Sequence, residues 1–401
     1  MILSLIWKAV KIMSRIEELI KAKCPDGVEY KQIMSIAQVS IGEFVHKNNQ
    51  SDEAPYPVYN GGTTNTGFYE KYNRTENKII ISARGANAGY VNRVFTKYWS
   101  GNSCYTIDVQ DETVDWSYVY YYLKNNEIQL VGAQQNGGIP AVSKRRVEEF
   151  EIPVPPFEVQ QEIVSVLDKF VELKSVLKAE LEVRKKQYEH YREELLNFDD
   201  NIEYCSLGDS CYIKARIGWQ KLNKSEYLSE GDYLLVTGVN ITKTNRVNFD
   251  TCYYVSKERY DMDANIQLQN GDIIITKDGT IGKVALIEGM EKPAVLNSHL
   301  FVIKDITGKL NHKFLLYVFL SNYFTRFVEG NKTSGTIAGL NQATMVKFMI
   351  PFPTLNEQER IVHMLDKFLQ LIKGLTDELE VRHKQYEYYR DKLLTFERKV
   401  V

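Results

Sequence analysis

At 401 residues the chain is long enough for two or three domains with sizeable cores. A hydrophobic content of 44% and a charged content of 25% are those of a soluble globular protein, and a net charge of −2 with a pI near 6.4 excludes a protein that coats polyanions in general. Five cysteines (Cys24, Cys104, Cys205, Cys211, Cys252) form no C-x-x-C pair and have no histidine cluster nearby, which argues against zinc and for reduced thiols in a cytoplasmic protein.

Residues 1–27 form an amino-terminal segment. Met1 to Met13 is apolar, but Lys8 and Lys11 interrupt it and no signal-peptidase-like site follows, so it reads as the lead-in to a helix over 14–23. Cys24-Pro25-Asp26-Gly27 then breaks the helix and turns the chain. No stretch reaches the 18 or so apolar residues of a membrane span.

Residues 28–155 read as a strand-rich block. Lys78 to Val91 contains strand, glycine-rich turn (Arg84-Gly85-Ala86-Asn87-Ala88-Gly89) and strand. Asn102-Ser103-Cys104, an aromatic helix over Trp116 to Leu123 and a Gly-Gly-Ile-Pro-Ala stretch (Gly137 to Ala141) follow. The exit runs through Pro153, Pro155 and Pro156.

Residues 156–200 predict one long helix. Ile163, Leu167, Phe170, Lys174, Leu177, Leu181, Arg184, Tyr188, Tyr191 and Leu195 recur at alternating spacings of three and four, with Leu173 beside the polar Lys174, the seam of a left-handed helix pair.

Residues 201–353 repeat the order of the first block. Asp272 to Val284 holds the strand and glycine turn, Asn297-Ser298-His299 stands for Asn102-Ser103-Cys104, and Phe314 to Leu320 is the aromatic helix. Gly335 to Gly339 stands for Gly137 to Ala141, and the exit is Pro351 and Pro353. Thr354-Leu355-Asn356-Glu357 then has capping-box spacing, and residues 354–401 give a second long helix with its seam at Ile361, Leu365, Phe368, Ile372, Leu375, Leu379, Arg382, Tyr386, Tyr389 and Leu393.

The two long helices are one sequence written twice. Between Pro153/Pro351 and Phe198/Phe396, 25 of 46 positions are identical, and such self-similarity marks a duplication of whole supersecondary units. Glu17-Glu18-Leu19-Ile20 also resembles Glu193-Glu194-Leu195-Leu196, and Val28-Glu29-Tyr30 resembles Ile202-Glu203-Tyr204, so the repeat is circular and the short first helix should lie near the end of the second long one. Each long helix, at 1.5 Å per residue, is a rod of roughly 60 Å. The connectivity demands an antiparallel pair with the blocks at opposite ends about a pseudo-two-fold axis. The expected fold is therefore α+β: two globular domains joined by two long antiparallel helices that form a coiled-coil-like spacer. Residues 156–200 carry 7 basic against 11 acidic residues, while 202–350 carry 17 against 15; the blocks, not the rod, are the parts whose charge permits nucleic-acid contact.

Chemistry is hard to find. Gly279-Thr280-Ile281-Gly282-Lys283 lacks the full phosphate-loop spacing, H-E-x-x-H and G-x-G signatures are absent, and Asp26 with Glu29 beside a turn is a poor imitation of a nuclease carboxylate set. Binding remains. Two heads on a stiff spacer suit a ligand with two sites at fixed separation, and duplex DNA is one. Arg84, Asn87, Lys277, Thr280 and Lys283 lie on or beside the first glycine turns; Gln134, Gln135, Asn136, Asn331, Lys332 and Thr333 precede the second glycine motifs. Arg and Lys suit guanine edges or phosphate, and Asn and Gln suit adenine. The tyrosine run Tyr118 to Tyr122 reads as core packing. Arg184 and Arg382, at matching seam positions, need partners such as seam glutamates or tyrosine hydroxyls, or else set the register of the pair. The competing reading is a structural coiled-coil adaptor that links two protein partners.

Two variable blocks, each leaving through Pro-x-Pro into a long helix with Gln160-Gln161-Glu162-Ile163-Val164 and Leu167-Asp168-Lys169-Phe170, resemble the specificity subunit of type I restriction-modification systems. Cys24 to Tyr30 looks like that family's entry to its first target recognition domain. The resemblance covers the chain after Met13. It implies two target recognition domains (28–155 and 201–353), each reading one half of a split double-stranded DNA target, with the helices as a ruler. It implies two methyltransferase subunits that use S-adenosylmethionine to methylate adenine, and restriction subunits that use ATP and Mg. It places no catalysis and no cofactor in this chain.

Overall fold

A computed structural model describes residues 15–131, 140–198, 202–216, 222–333 and 339–399. The expected lead-in Met1 to Met13 and most of the two stretches Gly137 to Ala141 and Gly335 to Gly339 lie outside these residues. Contacts divide the chain into two units, Met1–Lys178 with Asp377–Val401, and Ala179–Thr376.

In the first unit, the strand Glu29–Gln32 pairs antiparallel with Glu151–Val154, so the chain enters and leaves the head side by side. Between them lies a four-stranded antiparallel sheet in the order Ala37–Ile41, Cys104–Val109, Lys78–Ser82, Val91–Val94. A smaller sheet of Gly67–Tyr69, Tyr56–Tyr59 and Trp99–Ser100 accompanies it. Ile79 and Ile81 alternate with Ile80, so the central strand serves two cores: the first pair meets Val119, Leu123 and Ile107, and Ile80 meets Tyr98 and Val94.

The second unit repeats the plan. Tyr204–Ser206 pairs with Met349–Pro351, and the four-stranded sheet runs Cys211–Ala215, Leu300–Asp305, Ile273–Thr276, Val284–Leu286. Its companion sheet has four strands, in the order Tyr253–Val255, Tyr233–Val236, Ala294–Leu296, Gln267–Leu268. One expected correspondence needs correction. Ile79 pairs with Ile107 and Ile273 with Ile303, so the residue equivalent to Ser103 is His299, not Ser298. The carbonyls confirm it: Ala83 N–H donates to Ser103 O and Lys277 N–H to His299 O. Strand register, which fixes side-chain facing, overrides a match of residue types across a variable turn.

The long helices are Phe157–Leu195 and Leu355–Leu393, 39 residues each. In the first unit Phe170 lies 5.7 Å from Tyr389 and 6.4 Å from Tyr386, and Lys174 Nζ is 3.2 Å from His383 Nδ1, so the partner number falls as the first helix advances. The segments are antiparallel. In the second unit the same two residue types meet with the helices exchanged: Tyr191 stacks on Phe368 at 5.2 Å. Arg382 is 4% exposed, and its guanidinium donates to Glu378 at 2.7 Å and Gln385 at 2.6 Å; Arg184 repeats this with Glu180 and Gln187, both at 2.7 Å. Glutamates one turn back on the same helix, beside the seam and not in it, thus pair with the seam arginines. The capping box is half formed: Glu357 N–H donates to Thr354 Oγ1 at 3.4 Å, but the Glu357 carboxylate accepts from Arg360 instead.

The short helix over 15–23 buries Ile16 against Leu393 and Leu394, and Lys392 reaches Glu17 at 2.5 Å. Gly27 follows at φ +84°, where a Cβ would stand 2.6 Å from Glu397 O, so the turn admits only glycine.

Candidate nucleic-acid interface

Each head is clipped to its helix by one buried glutamine. Gln160, 0% exposed, donates from Nε2 to Pro155 O at 2.7 Å and Thr113 O at 3.1 Å and accepts from Asp115 N–H at 2.8 Å. Gln358, also 0% exposed, does the same with Pro353 O (2.9 Å), Lys309 O (3.0 Å) and Asn311 N–H (2.7 Å). The Asp115 and Asn311 side chains in turn cap the aromatic helices Trp116–Asn125 and His312–Leu320. A tyrosine from each aromatic helix then donates to the Asp of Leu-Asp-Lys-Phe: Tyr121 to Asp168 at 2.5 Å, and Tyr317 to Asp366. Arg93 joins Asp168 at 2.6 Å and Lys313 joins Asp366 at 2.7 Å. Burial, and for Tyr121 and Tyr317 the carboxylate beside them, push these phenols well above their ordinary pKa, so they remain donors. Tyr118 is fully buried and bonds Pro153 O, confirming the packing role read for this run.

The clips and the sheets hold the glycine turns. In the first head Gly89 N–H donates to Ser82 O at 2.8 Å and closes the turn. Gly89 sits at φ +83° with Val131 Cγ2 2.3 Å from where a Cβ would be. Gly85 N–H donates to Pro140 O and Val142 N–H to Ala83 O, which brings the exit of the second glycine motif against the first turn. The second head makes the same join: Leu340 N–H donates to Lys277 O at 2.7 Å, Asp278 pairs with Gly339, and Gly282 N–H donates to Thr276 O.

Of the candidate residues, Arg84 and Asn87 are exposed on the first turn and Thr280 on the second. Lys277 is half-buried with its ammonium 5.9 Å from the Phe301 ring centre. Lys283 donates to Gly238 O at 3.1 Å, a local structural contact. Thr333 joins the rim, since its N–H donates to Gly339 O and its hydroxyl accepts from Gly339 N–H. Asn331 instead donates to Phe327 O within its helix, and Lys332 pairs with Glu329 at 2.5 Å. Gln134, Gln135 and Asn136 lie outside the described residues. The sequence reading missed a further pair on the second rim: His299 Nδ1 lies 2.6 Å from Asp278 Oδ1. Asp278 occupies the place of Arg84, so the two heads present opposite charges at one position. The available signal was that Asp278, like Arg84, directly precedes the turn glycine.

Among the described residues, no group of three or more His, Cys, Asp or Glu side chains could hold a metal ion, and no helix is long and apolar enough to cross a membrane.

One scaffold, twice, with divergent polar rims is the arrangement of a two-headed DNA-specificity protein. The chain belongs to the type I restriction-modification DNA specificity family, whose domain model matches residues 25–183 and 199–381. It is 30% identical to the specificity subunit of the Escherichia coli type I restriction enzyme EcoR124I/EcoR124II over 70% of either chain. Its fold is similar to that of the type I restriction-modification S subunit of M. genitalium (18% identity, TM-score 0.59, 92% of this chain and 96% of that one). It is also similar to that of the HsdS subunit of Thermoanaerobacter tengcongensis (15% identity, TM-score 0.50, 92% and 97%).

Proposed function

We propose that this chain is the DNA-specificity subunit of a type I restriction-modification complex, that each head reads one half of a bipartite duplex target, and that the paired long helices set the distance between the halves. The observation that carries this is the conserved join of glycine turn and second-motif exit in both heads, beneath rims that differ in charge at Arg84 and Asp278. Shared scaffold with divergent rim is what two readers of unlike half-sites require, because phosphate contacts position a protein while base-edge contacts specify.

In this reading the heads comprise residues 28–155 and 201–353, the circular repeat gives the helices a pseudo-two-fold relation, and these helices also dock two methyltransferase subunits. S-adenosylmethionine, ATP and Mg belong to the methyltransferase and restriction partners, and this chain supplies recognition. The test is exchange of residues 205–350 for the matching block of another specificity subunit, followed by methylation mapping in cells. One half-site should change while the other is retained. A change in both halves, or in neither, contradicts the assignment. An adaptor joining two proteins would show no sequence-dependent retardation of duplex DNA even with methyltransferase subunits added.

A further inference from the structure

The rims of the two heads differ at one pair of positions that the shared main chain brings together. In the first head these are Arg84 and Ser103, and in the second they are Asp278 and His299. The second pair is held from behind. Lys277 N–H donates to His299 O at 3.0 Å, Leu340 N–H donates to Lys277 O at 2.7 Å, and His299 N–H donates to the side-chain oxygen of Asn297 at 3.0 Å. Asn297 is itself 5% exposed, so this support lies inside the head. Asp278 is the inner member of the pair, its side chain 28% exposed, and His299 the outer one at 58%. The imidazole is therefore presented outward on a fixed backing.

The pair also fixes which ring nitrogen carries the proton. A carboxylate only accepts hydrogen bonds, so Nδ1 of His299, 2.6 Å from Asp278 Oδ1, is the donor. In the neutral imidazole this leaves the lone pair on Nε2, to which none of the described residues is bonded. The second rim thus shows an acceptor where the first shows Arg84, a side chain that can only donate. In the major groove every base pair offers one amino donor, on N6 of adenine or N4 of cytosine, and an acceptor on the protein answers it. Guanine O6 and N7 answer a guanidinium instead.

We propose that His299 Nε2 accepts a hydrogen bond from the exocyclic amino group of one adenine or cytosine in the half-site read by the second head, and that Asp278 is the positioning residue that sets the ring's tautomer. The inference rests on the DNA-reading assignment and adds to it the hydrogen-bond polarity of one contact. The two heads then use the same place in the scaffold for opposite polarities, a donor at Arg84 and an acceptor at His299.

The test is competition binding by the full chain assembled with its methyltransferase subunits, on the duplex site found by methylation mapping. Bases of the second half-site are replaced one at a time: adenine by purine and cytosine by 2-pyrimidinone, which lack the amino group, and guanine by 7-deazaguanine, which lacks N7. One amino deletion should weaken the wild-type complex about 10-fold, the scale of one hydrogen bond, and its identity tells adenine from cytosine. The same deletion should have no effect on binding by His299→Ala, and a reduced effect on binding by Asp278→Ala, in which the ring can carry its proton on either nitrogen. Both variants should keep the wild-type response at the other positions of that half-site, which reports an intact head. An amino deletion felt equally by wild type and His299→Ala would overturn the proposal. So would loss of 7-deazaguanine sensitivity in His299→Ala, which makes the ring a donor, or a uniform weakening on every duplex, which makes it a phosphate contact. Asp278→Ala behaving as wild type would remove the positioning role. A wild-type complex indifferent to the second half-site altogether would be a failure of the DNA-reading assignment itself, and is told apart by that indifference.

Discussion

A buried glutamine has two donors and an acceptor to satisfy, and Gln160 and Gln358 use all three on main-chain groups of their own heads. Replacing either by leucine strands one buried N–H and two carbonyls, so Gln160→Leu and Gln358→Leu should each destabilise the chain by about 2–4 kcal/mol in urea unfolding. Tyr121→Phe removes one bond to Asp168 while Arg93 remains, and should cost only about 1 kcal/mol. Burial pushes the Cys104, Cys211 and Cys252 thiols up to about 12, so in alkylation at pH 8 followed by mass mapping the half-buried Cys24 and Cys205 should react first and the other three only on unfolding. At this scale the sequence was partly legible. Gln160 and Gln358 each precede a buried isoleucine by three residues, so a polar group on the apolar face was visible, but two of its three main-chain partners come from segments more than forty residues away. The seam arginines were readable but their partners were left open between glutamates and tyrosine hydroxyls; the glutamates that pair with them lie one turn back on the same helix.

At the scale of elements, the strand–turn–strand around each glycine loop and the aromatic helices followed from alternation and periodicity, which are local properties. What could not be read was how far each polar side chain is committed elsewhere. Lys283, Asn331 and Lys332 satisfy themselves within the head, whereas Arg84, Asn87 and Thr280 are exposed. The Asp278–His299 pair joins two loops 21 residues apart that no spacing rule connects. Arg84→Ala and Asn87→Ala should therefore weaken binding of the half-site read by the first head by about 10- to 100-fold per base contact and leave the other half-site's discrimination intact. Thr280→Ala and His299→Ala should act only on the second half-site, and Lys332→Ala on neither. Competition binding of the assembled complex against duplexes mutated one half at a time separates these outcomes.

For the whole molecule, duplication was the most legible feature, since the identity of the long helices needs no structure to be seen. The antiparallel sense within each unit followed from connectivity. The central claim is that the long helices space two independent readers. Inserting one heptad after Leu177 and its match after Leu375 adds about 10 Å of helix while preserving the seam, equivalent to about three base pairs of duplex. Methylation mapping in cells expressing this variant should return both original half-sites with a longer spacer between them; both half-sites at the original spacing would contradict the account.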